Sequence, residues 1–162
     1  MPASVKSDFS NLKAFLFLGI FLLFGFYMIG QNQSVADSLE QIHREGSFEE
    51  KDHLQILNDL IREQPDPDKA LMYGNEMIQR AMELDSISAL YWAYVHVGNA
   101  LRLKGELTLS VENFFSAGEI ASEMGDKGKV GLVEIAVASV YHVMENYDNS
   151  IRYYKSGLDI LR

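Results

Sequence analysis

This chain contains an internal repeat with a period of forty residues. The segments 51–90, 91–130 and 131–162 align without gaps at that spacing. Large apolar residues recur at some of the aligned positions, and small residues recur at others. The recurring sets are Leu57, Val97 and Val137; Ile61, Leu101 and Tyr141; and Ala70, Ser110 and Ser150. Because small side chains let two helices approach closely, the repeat predicts a stack of similar helical units.

Residues typical of helix ends divide each repeat into two helices. Ser47-Phe48-Glu49-Glu50 matches a capping box, and Asp66-Pro67 offers an N-cap followed by proline at the first helical position. Gly105, Gly125 and Asn146 suit the left-handed residue that ends many helices. Each unit is therefore predicted to be a helix of about four turns, a tight turn and a second helix of similar length. The predicted fold class is all-α, built from stacked helical hairpins.

The clearest copy of the repeat reads Tyr94-x-x-Val97-Gly98-x-x-Leu101-x-x-x-Gly105. This spacing resembles that of the tetratricopeptide repeat (TPR) family. The third copy is similar, the first is the most degenerate, and the long period resembles the subclass with longer second helices. The resemblance implies a short right-handed TPR superhelix of about three repeats over residues 48–162.

The N-terminal residues have the layout of an export signal. Residues 14–30 form an uncharged apolar run, preceded by Lys6 and Lys13 and followed by a polar stretch. That layout is typical of a secretory signal peptide, with cleavage after Gly30 or Ala36, and an uncleaved signal anchor is the alternative.

The predicted organisation therefore has three parts. Residues 1–30 are a signal peptide or signal anchor, residues 31–47 are a linker with a short helix, and residues 48–162 are the repeat domain. The protein is expected to be exported to a periplasmic or other extracytoplasmic location, or to be anchored in the membrane. Contact with a membrane is expected only through residues 14–30, if they are not cleaved.

Composition excludes several classes of function. The 162 residues include 14 Lys and Arg against 23 Asp and Glu, for a net charge of −9. A nucleic-acid partner is therefore not expected, because phosphate backbones are bound by clustered basic residues. The absence of cysteine from the sequence excludes a disulfide framework, a Cys-ligated zinc site and a thiol nucleophile.

Two Glu-x-x-His pairs, Glu40 to His43 and Glu50 to His53, would place a carboxylate and an imidazole on one helix face. Di-iron bundles use this spacing, but they also need two further inward Glu residues. Because Gly46-Ser47 separates the two pairs, exposed polar side chains are the favoured interpretation.

The glycine-rich segment 125–131 lacks the spacing of a phosphate loop. The chain is therefore predicted to be non-enzymatic, with no catalytic residue, cofactor or metal site; a metal-dependent helical enzyme is the competing hypothesis.

The TPR resemblance implies a concave groove lined by the first helix of each repeat. Carrying the repeat register over to this sequence gives a candidate partner-binding set: Arg62, Trp92, His96, Asn99, Arg102, Ser139 and His142. Arginine pairs well with carboxylates, so an acidic or carboxylate-bearing peptide is a suitable partner. The alternatives are that the arginines are solvated helix ends, that Trp92 packs between repeats and that His142 is an ordinary surface residue.

The leading hypothesis for function is a non-catalytic TPR scaffold that binds a protein or peptide partner. The alternative is the extracytoplasmic sensor part of a larger membrane signalling protein, with a histidine kinase, nucleotide cyclase or DNA-binding output domain. Repeat arrays need a polar closing helix, whereas Ile151, Tyr154, Leu158 and Leu161 form an apolar stripe near the end of this sequence. That stripe suggests either a homodimer or a chain that continues beyond Arg162.

Overall fold

A computed structural model describes residues 33–162, which are helical throughout apart from short connections and contain no strand. The helices are α1 (33–45), α2 (His53–Glu63), α3 (Pro67–Glu83), α4 (Ile87–Lys104), α5 (Leu107–Glu123), α6 (Lys127–Val143) and α7 (Tyr147–Ile160), with a single 3₁₀ turn at Glu50–Asp52. The predicted signal segment 1–30, its apolar run and its cleavage position at Gly30 lie outside the described residues. Within residues 33–162, no helix has both the length and the apolar character needed to cross a membrane.

Helices that follow one another along the chain pack against each other from α2 through α7. In addition, α2 contacts α4, which brings the first helices of two successive hairpins together. This sequential packing confirms the predicted all-α class and the stack of helical units.

The forty-residue register is visible in the turns and helix starts. The helices α3, α5 and α7 begin at Pro67, Leu107 and Tyr147, each forty residues after the last. Left-handed backbone conformations occur at Asp85 and Gly125 (φ 50° and 67°), and also at Gly105 and Glu145 (φ 81° and 58°). Both pairs are forty residues apart, so equivalent positions in successive units make the same turn.

The core consists of two clusters. Leu57, Leu60 and Met77 belong to a cluster around α2, α3 and α4. Phe114 and Val137 belong to a second cluster around α4, α5 and α6. Every one of these five side chains is almost fully excluded from solvent, which supplies the main driving force for stacking the units.

The predicted helix boundaries are correct in part. Pro67 does open α3, where the Asp66 carboxylate accepts a 2.9 Å hydrogen bond from the Asp68 N–H. Gly105 caps α4 in the left-handed conformation, and Gly125 follows α5 in the same conformation.

Two predictions about the helix ends are wrong. The predicted capping box does not form, because residues 50–52 make a 3₁₀ turn and α2 begins only at His53. The helix α2 therefore has 11 residues, about three turns rather than four. Asn146 does not end α6: Glu145 takes the left-handed conformation, and the Asn146 side chain caps α7 by accepting a bond from the Asn149 N–H.

Candidate functional site

A cleft of about 550 Å³ lies between α2, α3 and the N-terminal half of α4. Its apolar surface comes mainly from Leu54, Ala89 and Trp92 above the buried Met77, and polar side chains surround that surface. The complete lining is Lys51, Leu54, Gln55, Asn58, Arg62, Met77, Ser86, Ser88, Ala89, Trp92 and His96. We call this space the α2–α4 cleft.

Trp92 presents the largest aromatic surface in the α2–α4 cleft. It is 41% exposed, although its ring packs edge-on against the buried Tyr91 at a centroid distance of 5.1 Å. On its other side the indole stacks on the His96 imidazole at 6.0 Å. Trp92 is thus held in position by its neighbours while much of its surface stays accessible to a ligand.

His96 is fixed by a contact from the preceding unit. Its Nε2 atom lies 3.0 Å from the Asn58 Oδ1 atom, and an amide oxygen only accepts, so this contact selects the tautomer with the proton on Nε2. Burial lowers the pKa of His96, and the positive charge of Arg62 lowers it further. The imidazole is therefore neutral at neutral pH and acts in the cleft as a flat, uncharged surface.

Arg62 supplies positive charge at the rim of the α2–α4 cleft. Its guanidinium pairs with Asp59 at 3.2 Å and with Glu63 at 3.1 Å, while more than half of its side chain remains exposed. Lys51 lies at the same rim and pairs with Glu49. The cleft therefore joins an apolar aromatic floor to a rim that carries two cations, each paired with at least one carboxylate.

The structure brings Arg62, Trp92 and His96 together at this cleft. The other four predicted residues do not line it. The Asn99 amide donates a 3.0 Å bond to the Val95 carbonyl of its own helix, and the Ser139 hydroxyl donates a 2.7 Å bond to the Ala136 carbonyl. His142 is exposed and meets the Tyr147 ring edge-on. Arg102 has no ion pair with any residue in the described range 33–162.

A second group of side chains was not predicted to form a site. The imidazoles of His43 and His53 converge on the Glu76 carboxylate, where their Nε2 atoms lie 2.9 and 3.3 Å from its Oε1 atom. The two Nε2 atoms are 3.5 Å apart. The prediction that Gly46-Ser47 keeps these histidines apart as exposed residues is therefore wrong, since their side chains are 20% and 17% exposed.

The glutamates of the two Glu-x-x-His pairs lie elsewhere. Glu40 accepts 2.7 Å hydrogen bonds from both Gln64 and Lys69, and Glu50 pairs with Arg80. The sequence drew attention to the correct histidines but to the wrong carboxylates. Glu76 carries no sequence signal, because only the packing of α3 against α1 and α2 brings it to the imidazoles.

Comparisons with known proteins support the fold and leave the family unassigned. No protein-family model matches the sequence, and no curated protein matches it. The chain is similar to a solved structure described as the "Crystal structure of BtubC (BKLC) from P. vanneervenii", with a TM-score of 0.57 and 19% sequence identity. The similarity covers 82% of this chain and 55% of that one, so the chain spans about half the length of that structure. At this identity the likeness is one of fold alone.

Proposed function

We propose that this protein is a non-catalytic, TPR-type scaffold that binds a protein or peptide partner in the α2–α4 cleft. The observation that carries the proposal is the exposed face of Trp92, which is held between Tyr91 and His96 in a concave surface. Exposed, pre-positioned aromatic side chains in clefts are typical anchors for peptide ligands.

The repeat register supports the TPR-type part of this proposal. Helix pairs α2–α3, α4–α5 and α6–α7 follow one another, and the spacing of Tyr94, Val97, Gly98 and Leu101 falls on the first helix of the middle pair. Trp92 and His96 lie on that same helix. A partner bound in the cleft would therefore lie against the first helices of successive units.

The cleft favours a particular kind of peptide. Trp92, Leu54 and Ala89 provide an apolar surface for a large aliphatic or aromatic side chain. Arg62 and Lys51 already pair with carboxylates of this chain, and a carboxylate on the same peptide would bind by taking the place of one of those partners. We therefore expect a ligand with an apolar anchor residue near an acidic residue or a terminal carboxylate.

The chain offers a direct probe of this site, because Trp92 is its only tryptophan. Peptides selected from a random display library would be titrated into the full-length chain, and the indole fluorescence would be followed. The expected result is a saturable change in fluorescence and a selected consensus that contains an apolar residue next to an acidic one. Peptides that bind with no fluorescence change would place the binding site elsewhere.

The matched control is Phe115, which is exposed to a similar degree but lines a different cleft between α5, α6 and α7. Calorimetry should show that Trp92→Ala weakens peptide binding and that Phe115→Ala does not. Equal affinities for the Trp92→Ala variant and the unaltered protein would overturn the proposal.

A further inference from the structure

Three helices contribute one potential ligand each to the cluster of His43, His53 and Glu76. His43 lies in the last turn of α1, His53 is the first residue of α2, and Glu76 lies in the middle of α3. The two histidine Nε2 atoms and the nearest carboxylate oxygen are separated by 2.9, 3.3 and 3.5 Å. They form a nearly equilateral triangle of donor atoms.

The size of that triangle matches one face of a tetrahedral zinc site. With zinc–nitrogen and zinc–oxygen bonds of about 2.0–2.1 Å, tetrahedral ligand atoms lie about 3.3 Å from one another. We propose that His43, His53 and Glu76 form a binding site for a zinc-class divalent cation. Two imidazoles and one carboxylate are a ligand set suited to zinc, whereas calcium and magnesium take mainly oxygen ligands.

The fourth coordination position has access to water. Glu76 is 37% exposed, and together with His53 it borders an open cleft of about 370 Å³. A water molecule in that cleft would complete the tetrahedral set, as it does in sites with three protein ligands.

Aromatic packing holds both imidazoles in place. The Phe48 ring lies 4.9 Å from the His53 ring and stacks on His43 at 6.3 Å, while Tyr73 meets His43 edge-on at 5.5 Å. These contacts restrict the side-chain rotations that would otherwise have to be frozen when a metal binds. The ligands are thus largely pre-positioned, which favours binding.

The charges around the cluster are compatible with a cation. Arg80 is the nearest basic residue in the adjoining cleft, and it pairs with both Glu50 and Glu83. Its positive charge is therefore offset by two carboxylates. A bound cation would replace the imidazole contacts to Glu76 with coordinate bonds and would link α1 to the α2–α3 hairpin.

The test is titration of zinc chloride into the full-length, metal-free chain in detergent, followed by calorimetry and by thermal unfolding. We expect one zinc ion per chain and a higher melting temperature with zinc than without it. Cobalt(II) added alone should give the intense visible absorption of tetrahedral coordination, and zinc should displace it.

Variants with matched controls locate the site. Glu76→Gln should weaken zinc binding more than about a hundredfold, because altering even the groups that only support a metal ligand costs 10–100-fold. Glu112→Gln makes the same change in charge at an exposed position outside this cleft and should leave zinc affinity unchanged. His53→Gln should behave like Glu76→Gln, and His142→Gln should behave like the unaltered protein.

Three results would overturn the proposal. The first is no zinc binding by the unaltered chain. The second is zinc binding of equal strength in Glu76→Gln, in His53→Gln and in the unaltered protein, which would identify adventitious surface binding. The third is a cobalt spectrum typical of octahedral coordination. The cobalt spectrum needs no variant, so the proposal can be rejected even if Glu76→Gln fails to fold.

Discussion

Ser110 and Ser150, forty residues apart, make the same buried hydrogen bond in successive units. The Ser110 hydroxyl donates to the Gly98 carbonyl at 2.7 Å, and the Ser150 hydroxyl donates to the Ala138 carbonyl at 3.0 Å. Each bond joins the second helix of a hairpin to the first. Ala70 occupies the equivalent position in the first unit and has no hydroxyl, so the bond is a property of the second and third units.

This relationship predicts the effect of removing the hydroxyl. Ser110→Ala should lower the free energy of unfolding by about 0.5–1.5 kcal/mol, the usual net contribution of one hydrogen bond. Ser122→Ala is the control, because Ser122 is exposed and its hydroxyl donates to the Gly118 carbonyl of its own helix. Urea unfolding followed by circular dichroism would measure both. Equal losses in the two variants would show that the inter-helix bond contributes nothing.

Gly98 provides a test of the close contact between α4 and α5. A β-carbon at this position would lie 3.0–3.1 Å from atoms of the Phe114 ring, which is itself fully buried. Because that ring has no room to move, Gly98→Leu should destabilise the protein by about 1–3 kcal/mol or more.

Gly118 is the matched position for this experiment. A β-carbon there meets only Val133, at an ordinary 3.4 Å, and the residue borders the cleft between α5, α6 and α7. Gly118→Leu should therefore change the free energy of unfolding by less than about 1 kcal/mol, since leucine also favours the helix. A melting temperature for Gly98→Leu that equals that of Gly118→Leu would contradict the described packing.

The low pKa of His96 predicts a specific dependence of stability on pH. Burial and Arg62 both disfavour the protonated imidazole in the folded protein. The unfolded chain therefore binds this proton more readily than the folded protein does. The contribution of neutral His96 to the free energy of unfolding is fully present above the imidazole pKa of the unfolded chain, which is about 6.5. It declines as the pH falls from about 6.5 toward the lower folded pKa.

Thermal unfolding at several pH values would check this prediction. The fall in melting temperature below about pH 6.5 should be smaller for His96→Gln than for the unaltered protein. His142→Gln, at an exposed position outside the cleft, is the matched control. An identical profile for His96→Gln and the unaltered protein would mean that His96 titrates normally.

Sequence reasoning identified the fold where a physical signal was repeated or local. The recurring apolar and small positions gave the helical stack, and Asp66-Pro67 marked the start of α3. The error at Asn146 was avoidable in principle, because the forty-residue register aligns Glu145 with Gly105 and thus assigns the left-handed turn to Glu145. Asparagine tolerates that conformation, but the forty-residue register is the stronger signal.

The candidate sites were only partly predictable, because they depend on which helices pack against one another. Trp92, His96 and Arg62 share a cleft because α2 contacts α4, and the repeat register anticipates that neighbour relationship. The approach of Glu76 to the two histidines depends on how α3 meets α1, which no periodic pattern encodes. Residues brought together by the packing of three helices leave no spacing in the sequence to recognise.

Arg62 and Arg102 occupy equivalent register positions and differ in their surroundings, which makes them a matched pair for the proposed binding site. Arg62 lines the α2–α4 cleft, and Arg102 does not. Arg62→Glu should weaken the binding of an acidic peptide roughly tenfold, because it replaces an attractive charge at the rim with a repulsive one. Arg102→Glu changes the net charge equally and should have little effect.

Circular dichroism must accompany the binding assay, because Arg62→Glu also places a third carboxylate beside Asp59 and Glu63. The cost to stability should stay within about 1 kcal/mol, as is usual for exposed ion pairs.

Raising the salt concentration should narrow the difference in affinity between the two variants, since rim charges are screened. If Arg102→Glu weakened binding as much as Arg62→Glu, the groove would extend along the first helices beyond this cleft, and the proposed position of the carboxylate would be wrong.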